Sequence, residues 1–224
     1  ESVAVILKEG GEINSTLGDI YAGENSVGIY SLGDITNIST AGRTINLDSE
    51  ATGMYGEEGT DMDLSGSIFS SSRGAKGIAN KNTTSSASGR ISNNGSISLL
   101  GDESVGVYGE GLNLIENLSG KTIEVGNSNV KSSVGIYGKN VTSIRNDGSL
   151  IFGTGATGIY GDGVTSVINS STGLITNNSS TEGTGIFAKN SMVENRGTIL
   201  LGDTSNGIYA ENGSIDNYGD ITVG

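Results

Sequence analysis

The sequence predicts an all-β fold: a right-handed parallel β-helix of about nine coils, each about 25 residues long with three short strands. Three observations predict it. A Gly-Ile-Tyr phrase returns through the chain, with its aliphatic residue at Ile29, Met54, Ile78, Val107, Ile136, Ile159, Ile186 and Ile208, in steps of 22 to 29 residues. Inside the segments apolar and polar residues alternate, the period of a strand with one buried face. Gly, Asn, Asp and Ser separate the segments, and helical spacing is nowhere sustained. A unit this short cannot close a core by itself. Stacked, each strand pairs with its counterpart one coil away, and nine coils make a rod of roughly 40–45 Å at the spacing of sheet strands.

The stretch "VTSIRNDGSLIFGTGATGIYGDG" (141–163) shows the three segments in order. The first places an aliphatic residue ahead of Asn: Ile91 and Asn93, Ile115 and Asn117, Ile144 and Asn146, Val193 and Asn195, Ile215 and Asn217. Ile13-Asn14, Asn37 and Asn169 fit the pattern, and Asp63 stands in for Asn in one copy. Inward Asn side chains at one height per coil suit a ladder of amide hydrogen bonds. A charge at Asn146 would then harm stability. The second segment sets Gly just before alternating aliphatics, as in Ile97 and Leu99, Ile123 and Val125, Ile199 and Leu201, or Ile221 and Val223. The third is the Gly-Ile-Tyr phrase. Alternation points Ile136 inward, with Val134 as its inward partner. The small residue after the ring (Gly138, Gly161, Ala188 or Ala210) falls inward at a tight corner. Gly163, Asn190 and Asn212 then suit a positive φ.

By the same alternation Tyr30, Tyr55, Tyr108, Tyr137, Tyr160 and Tyr209 point outward, with Phe187 continuing the row and Ala79 interrupting it. Exposed rings suit stacking on sugars or anchoring a protein partner. A purely structural stack, in which Tyr serves as a good strand residue, is the favoured reading. The repeat is least regular between Ser70 and Ser92, where "NKNTTSSAS" (80–88) reads as a loop on the rod. Arg73, Lys76, Lys81 and Arg90 gather around it, and "GNSNVKSS" (126–133) is a second expansion, carrying Lys131. Loops on regular scaffolds are where binding usually resides. The candidate binding residues are therefore Tyr108, Tyr137, Tyr160, Arg73, Lys76, Lys81 and Arg90.

Composition narrows the chemistry. The 224 residues read as a single repeat segment with 38 glycines, more than twice ordinary usage, and no Pro, Cys or His. Without Cys there are no disulfides or thiolate metal sites, and without His there is no Ser–His–Asp triad. The net charge of −13 argues against nucleic acid and anionic membranes as partners. Residues 1–63 carry 12 acids and 2 bases, so the charge concentrates there. No apolar run reaches 18 residues, so no segment is expected to insert in a membrane as a helix. No catalytic group, cofactor or metal is expected. Glu57, Glu58, Asp61 and Asp63 lie around a turn without calcium-loop spacing. Gly153, Gly155 and Gly158 lead into a strand, which is wrong for a dinucleotide site. No signal peptide is visible, and the sequence opens on "ESVAVIL" and closes on "GDITVG", both in mid-repeat. A piece of a longer chain is the expectation.

The words "SVGIYG", "GTGIFAKN" and "NRGTILLGD" resemble the passenger domains of large type V autotransporter adhesins, especially the fusobacterial ones, over essentially the whole chain. That group includes the arginine-inhibitable and galactose-binding adhesins. The resemblance implies an exported β-helical passenger held at the bacterial surface by an outer-membrane barrel. It implies attachment to host-cell proteins or glycans and to partner bacteria, as in coaggregation and biofilm. A passive stalk that projects a distal tip is the alternative. A polysaccharide-cleaving β-helix is the more remote one.

Overall fold

A computed structural model of the chain describes residues 2–8, 13, 18–32, 42–84, 86–127, 132–177 and 181–224. None of these residues is helical. Among the described residues, each coil from Asp61–Leu64 onward gives one strand to each of three parallel sheets. The first sheet stacks nine strands, from Val3–Lys8 to Asp203–Glu211. The second also stacks nine, from Ile20–Ala22 to Asp220–Val223, and the third seven, from Asp61–Leu64 to Ser214–Asn217. The chain is thus a parallel β-solenoid, with eight turns between the first and last strands of the first sheet.

The register explains the repeated phrase. Val107 pairs with Ile136, Ile136 with Ile159 and Ile159 with Ile186. From Ile29 to Ile186 this column is at most 1% exposed. Ile68, Ile97, Ile123, Leu150 and Ile175 form the matching column of the second sheet, and Ile91, Ile115 and Ile144 that of the third. Each such side chain contributes about 1.5–3 kcal/mol relative to leaving it exposed. One coil supplies three, and only its neighbours complete the burial.

The glycine of the phrase has a separate cause. A Cβ on Gly135 would lie 2.5 Å from the carbonyl oxygen of Gly158 and 2.6 Å from Cδ2 of Leu150. Gly28, Gly53, Gly77, Gly106, Gly158 and Gly185 meet the same obstacle one coil apart. The strands from Val27–Leu32 onward therefore kink at the glycine, and both Gly135 and Ile136 face inward. This overturns the inward placement of Val134. That residue is half-buried on the outer face, in the column that holds Lys76 and Val105. The missing Cβ absorbs one step of the pleat, so simple alternation fails at this point.

The asparagine ladder is present. The side-chain amide of Asn93 donates to Asn117 (2.8 Å), Asn117 to Asn146 (2.9 Å), Asn146 to Asn169 (2.9 Å), and Asn169 to Asn195 (2.8 Å). Asn195 closes the run on Asn217 at 2.7 Å. Each ladder Asn from Asn93 to Asn169 is fully buried. Asp63 does not stand in for Asn. It pairs with Ser92 on the flank of its strand, and Leu64 occupies the ladder position opposite Asn93. Asn14 and Asn37 lie outside the described residues. Positive φ occurs where expected, at Gly163, Asn190 and Asn212. A second corner adopts it at Glu50, Glu103 and Thr204, with φ between 54 and 57. In the coil of Ser214–Asn217 and Asp220–Val223, Ile215, Ile221 and Val223 are 38–44% exposed, having a described coil on one side only.

Candidate functional site

The kink leaves each strand of the first sheet with three outward positions. In Val105–Glu110 they are Val105, Tyr108 and Glu110, and in Val134–Lys139 they are Val134, Tyr137 and Lys139. The middle position builds a stack of rings. Centroids are 5.3 Å apart for Tyr108 and Tyr137, 4.9 Å for Tyr137 and Tyr160, 4.9 Å for Tyr160 and Phe187, and 5.1 Å for Phe187 and Tyr209. Tyr30 and Tyr55 form a second stack at 5.5 Å. The planes are within 15° of parallel. The outward row is therefore real, but Tyr137 and Tyr160 each have a ring stacked on both sides. They offer solvent mainly edges and hydroxyls, so this part of the row is a poor platform for a flat ligand.

The position two after the ring alternates in charge from coil to coil: Glu57, Lys81, Glu110, Lys139, Asp162, Lys189 and Glu211. Opposite charges across parallel strands attract. Glu110 is the best-held member. It accepts from Lys139 Nζ at 3.0 Å and from the Tyr108 hydroxyl at 2.9 Å, with Lys81 Nζ at 3.6 Å. Burial pushes its carboxyl up, but those three partners outweigh it and hold it below the usual range. The Tyr108 hydroxyl is pushed well up, first by burial and then by donating to a carboxylate. Sequence reasoning missed this column, although its sign change is visible two residues past each ring.

The ring row breaks at Ala79. In register, Tyr55, Ala79 and Tyr108 are successive, so one coil supplies a methyl where its neighbours supply rings. A groove of about 780 Å³ runs along the rod here, floored by Ile6, Tyr30, Tyr55, Ala79 and Tyr108. Ala79 is only 3% exposed, so the flanking groups close over its methyl and the open space lies above it. Lys76 and Lys81 stand on either side of Ala79 on the same strand.

The four candidate bases do not form one basic patch. Lys76 and Lys81 lie on the strand Lys76–Lys81 in the first sheet. Arg73 sits on the preceding corner with its guanidinium 2.6 Å from Glu103. Arg90 opens the strand Arg90–Asn93 of the third sheet, 2.8 Å from Asp63, 3.6 Å from Asp61 and 3.8 Å from Glu116. The loop itself carries no base. It uses residues 82–89 where the next coil uses 111–113. Asn82 ties it down, donating to Ser86 O (2.8 Å), Ser88 Oγ (3.0 Å) and Gly111 O (3.1 Å). Lys131 lies outside the described residues. Thus the structure brings Tyr108, Lys76 and Lys81 to the groove, sets Tyr137 and Tyr160 in the stack that continues from Tyr108 beyond it, and leaves Arg73 and Arg90 elsewhere.

Of the acidic turn, Asp61 and Asp63 face Arg90 rather than one another's ligand space, and Glu58 takes a positive φ of 56°. A polar hollow of about 390 Å³ surrounds Arg90, Asp63 and Glu116. Burial raises the Asp63 carboxyl, and Arg90 only partly offsets that. Among the described residues no group of three or more Asp and Glu is arranged to hold a metal ion. Gly153 and Gly155 lead into the strand Ala156–Asp162, and Gly158 lies within it. Comparison with protein-family models, with characterised proteins and with solved structures finds no match to this chain.

Proposed function

We propose that this chain is part of a surface-displayed adhesin, a β-solenoid that attaches to a host-cell protein or glycan and to partner bacteria through the groove over Ala79. The observation that carries the reading is that groove. It breaks an otherwise repeating outer face, it is floored by rings, and its volume of about 780 Å³ falls in the range of ligand sites. The resemblance to type V passengers supplies the rest of the proposal: export, display at the outer membrane, and a role in coaggregation and biofilm. Attachment is preferred to catalysis because the groove offers ring surface and rim charges, in a chain that holds no His.

A second reading, a passive stalk, is favoured by the ladder from Asn93 to Asn217, which runs without a gap. The test displays the purified chain in many copies on beads and measures capture of host cells and partner bacteria, with galactose and arginine as competitors. Multiple copies reveal weak single-site affinity. Saturable capture that one competitor blocks is the expected result. No capture by a chain with intact β circular dichroism would leave the stalk.

A further inference from the structure

We infer that the groove over Ala79 takes an acidic oligosaccharide, with a sugar ring against the Tyr55 and Tyr108 rings and its carboxylate on Lys76. The inference rests on the adhesin reading and names the ligand class of the same groove.

Three observations point to it. The first is the break itself. The rings of the continuous row are 4.9–5.3 Å apart, so each covers its neighbour. Where Ala79 replaces a ring, the inner part of the row drops to a methyl that its neighbours cover, and the groove opens above it between residues that include Tyr55 and Tyr108. The second is charge. Lys81 belongs to the alternating column, between Glu57 and Glu110. Lys76 does not. Its column neighbours are Thr52 and Val105, and among the described residues no carboxylate lies within ion-pair distance of it. The groove is lined by Lys8, Lys76 and Lys81 with Glu50 and Glu57, and Glu110 on the Tyr108 hydroxyl offsets Lys81, so Lys76 is the base that an anion would meet. Lys76 lines the groove together with ring surface, and an ammonium near such a low-dielectric surface attracts an anion more strongly than one in open water.

The third observation separates a glycan from a peptide. The floor strands Thr52–Glu57 and Lys76–Lys81 are interior to the sheet, each hydrogen-bonded on both sides. The unpaired edge that the described sheet brings to the groove is Val3–Lys8, at its far end, so an extended peptide that adds as a strand would pair there and not over Ala79. A sugar needs no such pairing. Its ring has apolar faces for the floor, and its hydroxyls meet a polar rim that includes Ser26, Asn25 and Thr52.

The test uses the folded chain with sialyllactose and a uronic-acid tetrasaccharide, each beside its carboxyl-reduced, neutral form. Binding is read by the perturbation of Tyr and Lys NMR signals and by calorimetry. We expect each acidic probe to bind about tenfold or more tighter than its neutral form, as for one hydrogen bond to a charged group. Lys76→Thr, which copies Thr52, Thr157 and Thr184 of the same column, removes that preference. Ala79→Tyr completes the ring row, keeps the fold and abolishes binding. Equal affinity for acidic and neutral probes, or acidic binding that survives both substitutions, overturns the inference. If Ala79→Tyr fails to fold, Lys76→Thr decides alone. Capture of cells without binding of any acidic probe sinks this ligand class and keeps the adhesin reading. Capture of neither cells nor probes removes both.

Discussion

Asn146 shows how much one side chain carries in a solenoid. It accepts from Asn117 below, donates to Asn169 above, and also donates to the carbonyl of Leu174 at 3.3 Å. Asp at this position removes the donor and buries a charge against the oxygens of Asn169 and Leu174, which costs about 3 kcal/mol or more. Asn146→Ala takes a hydrogen bond from each of its three partners and costs about 2 kcal/mol. Urea unfolding should show both losses, Asp the larger, while cell capture by the remaining folded protein stays unchanged. Glu110 gives the pH counterpart. Its carboxyl is held below the ordinary value of 4.5 in the folded chain by Lys139, Tyr108 and Lys81 against the opposing effect of burial. A depressed folded value means stability that is fully present above 4.5 and lost as pH falls through the folded value. Glu110→Gln lacks that contribution at every pH, so its stability should fall less steeply below 4.5 than that of the parent. An equal slope in both proteins, measured by urea midpoints across this window, would rule out Glu110 as the source.

At the level of the strand, the glycine of the repeated phrase is the element that alternation alone misplaces. Gly135→Ala drives a methyl to 2.5 Å from the Gly158 carbonyl, backbone that cannot step aside. Strain of this kind costs about 1–3 kcal/mol, or more where strands must separate. Gly23→Ala meets nothing within 4 Å and should be neutral or slightly stabilising. Thermal unfolding of the pair checks this, and equal midpoints would mean the kink relaxes easily. The comparison also explains what the sequence could reveal. The Ile columns and the Asn ladder were legible because one residue type recurs at one height, where stacking rewards identity. Val134 misled because a pattern of period two has no place for a residue that consumes a step without a side chain. Asp63 misled because it is one residue from Leu64, and registry within a short strand is set by pairing, not by spacing from Gly. The clustering of Arg73, Lys76, Lys81 and Arg90 in sequence dissolved for a similar reason. One turn of a solenoid faces three directions, so neighbours in sequence end on different sheets. The groove was half legible: Ala79 was visible as a break in the row, while the burial of ring faces elsewhere, which makes the break matter, exists only once the rings stack.

For the whole molecule, every coil contacts only the next, so stability is close to a sum over coils and their interfaces. That makes the length of the rod adjustable and the binding reading testable by surgery far from the groove. Deleting residues 141–163 removes one complete coil and joins Asn140 to Val164, at the corner where Gly163 left off. Asn117 then donates to Asn169, Ile136 stacks on Ile186, and Tyr137 on Phe187. The mismatch introduced is Lys139 against Lys189, where Asp162 had separated them. Like charges across strands cost up to about 1 kcal/mol, too little to unfold a stack of this depth. The shortened chain should therefore unfold cooperatively at a slightly lower midpoint. Deleting residues 141–152 instead removes two strands of a coil and leaves the third without its Asn and Ile partners, so it should not fold. The groove lies between Val3 and Tyr108, outside the deleted coil. Capture of cells by the one-coil deletion should match that of the parent if attachment is local to the groove. A folded deletion variant that loses capture would instead place the contact on the deleted coil, among the Tyr160 outer positions, and would retire the groove as the site of attachment.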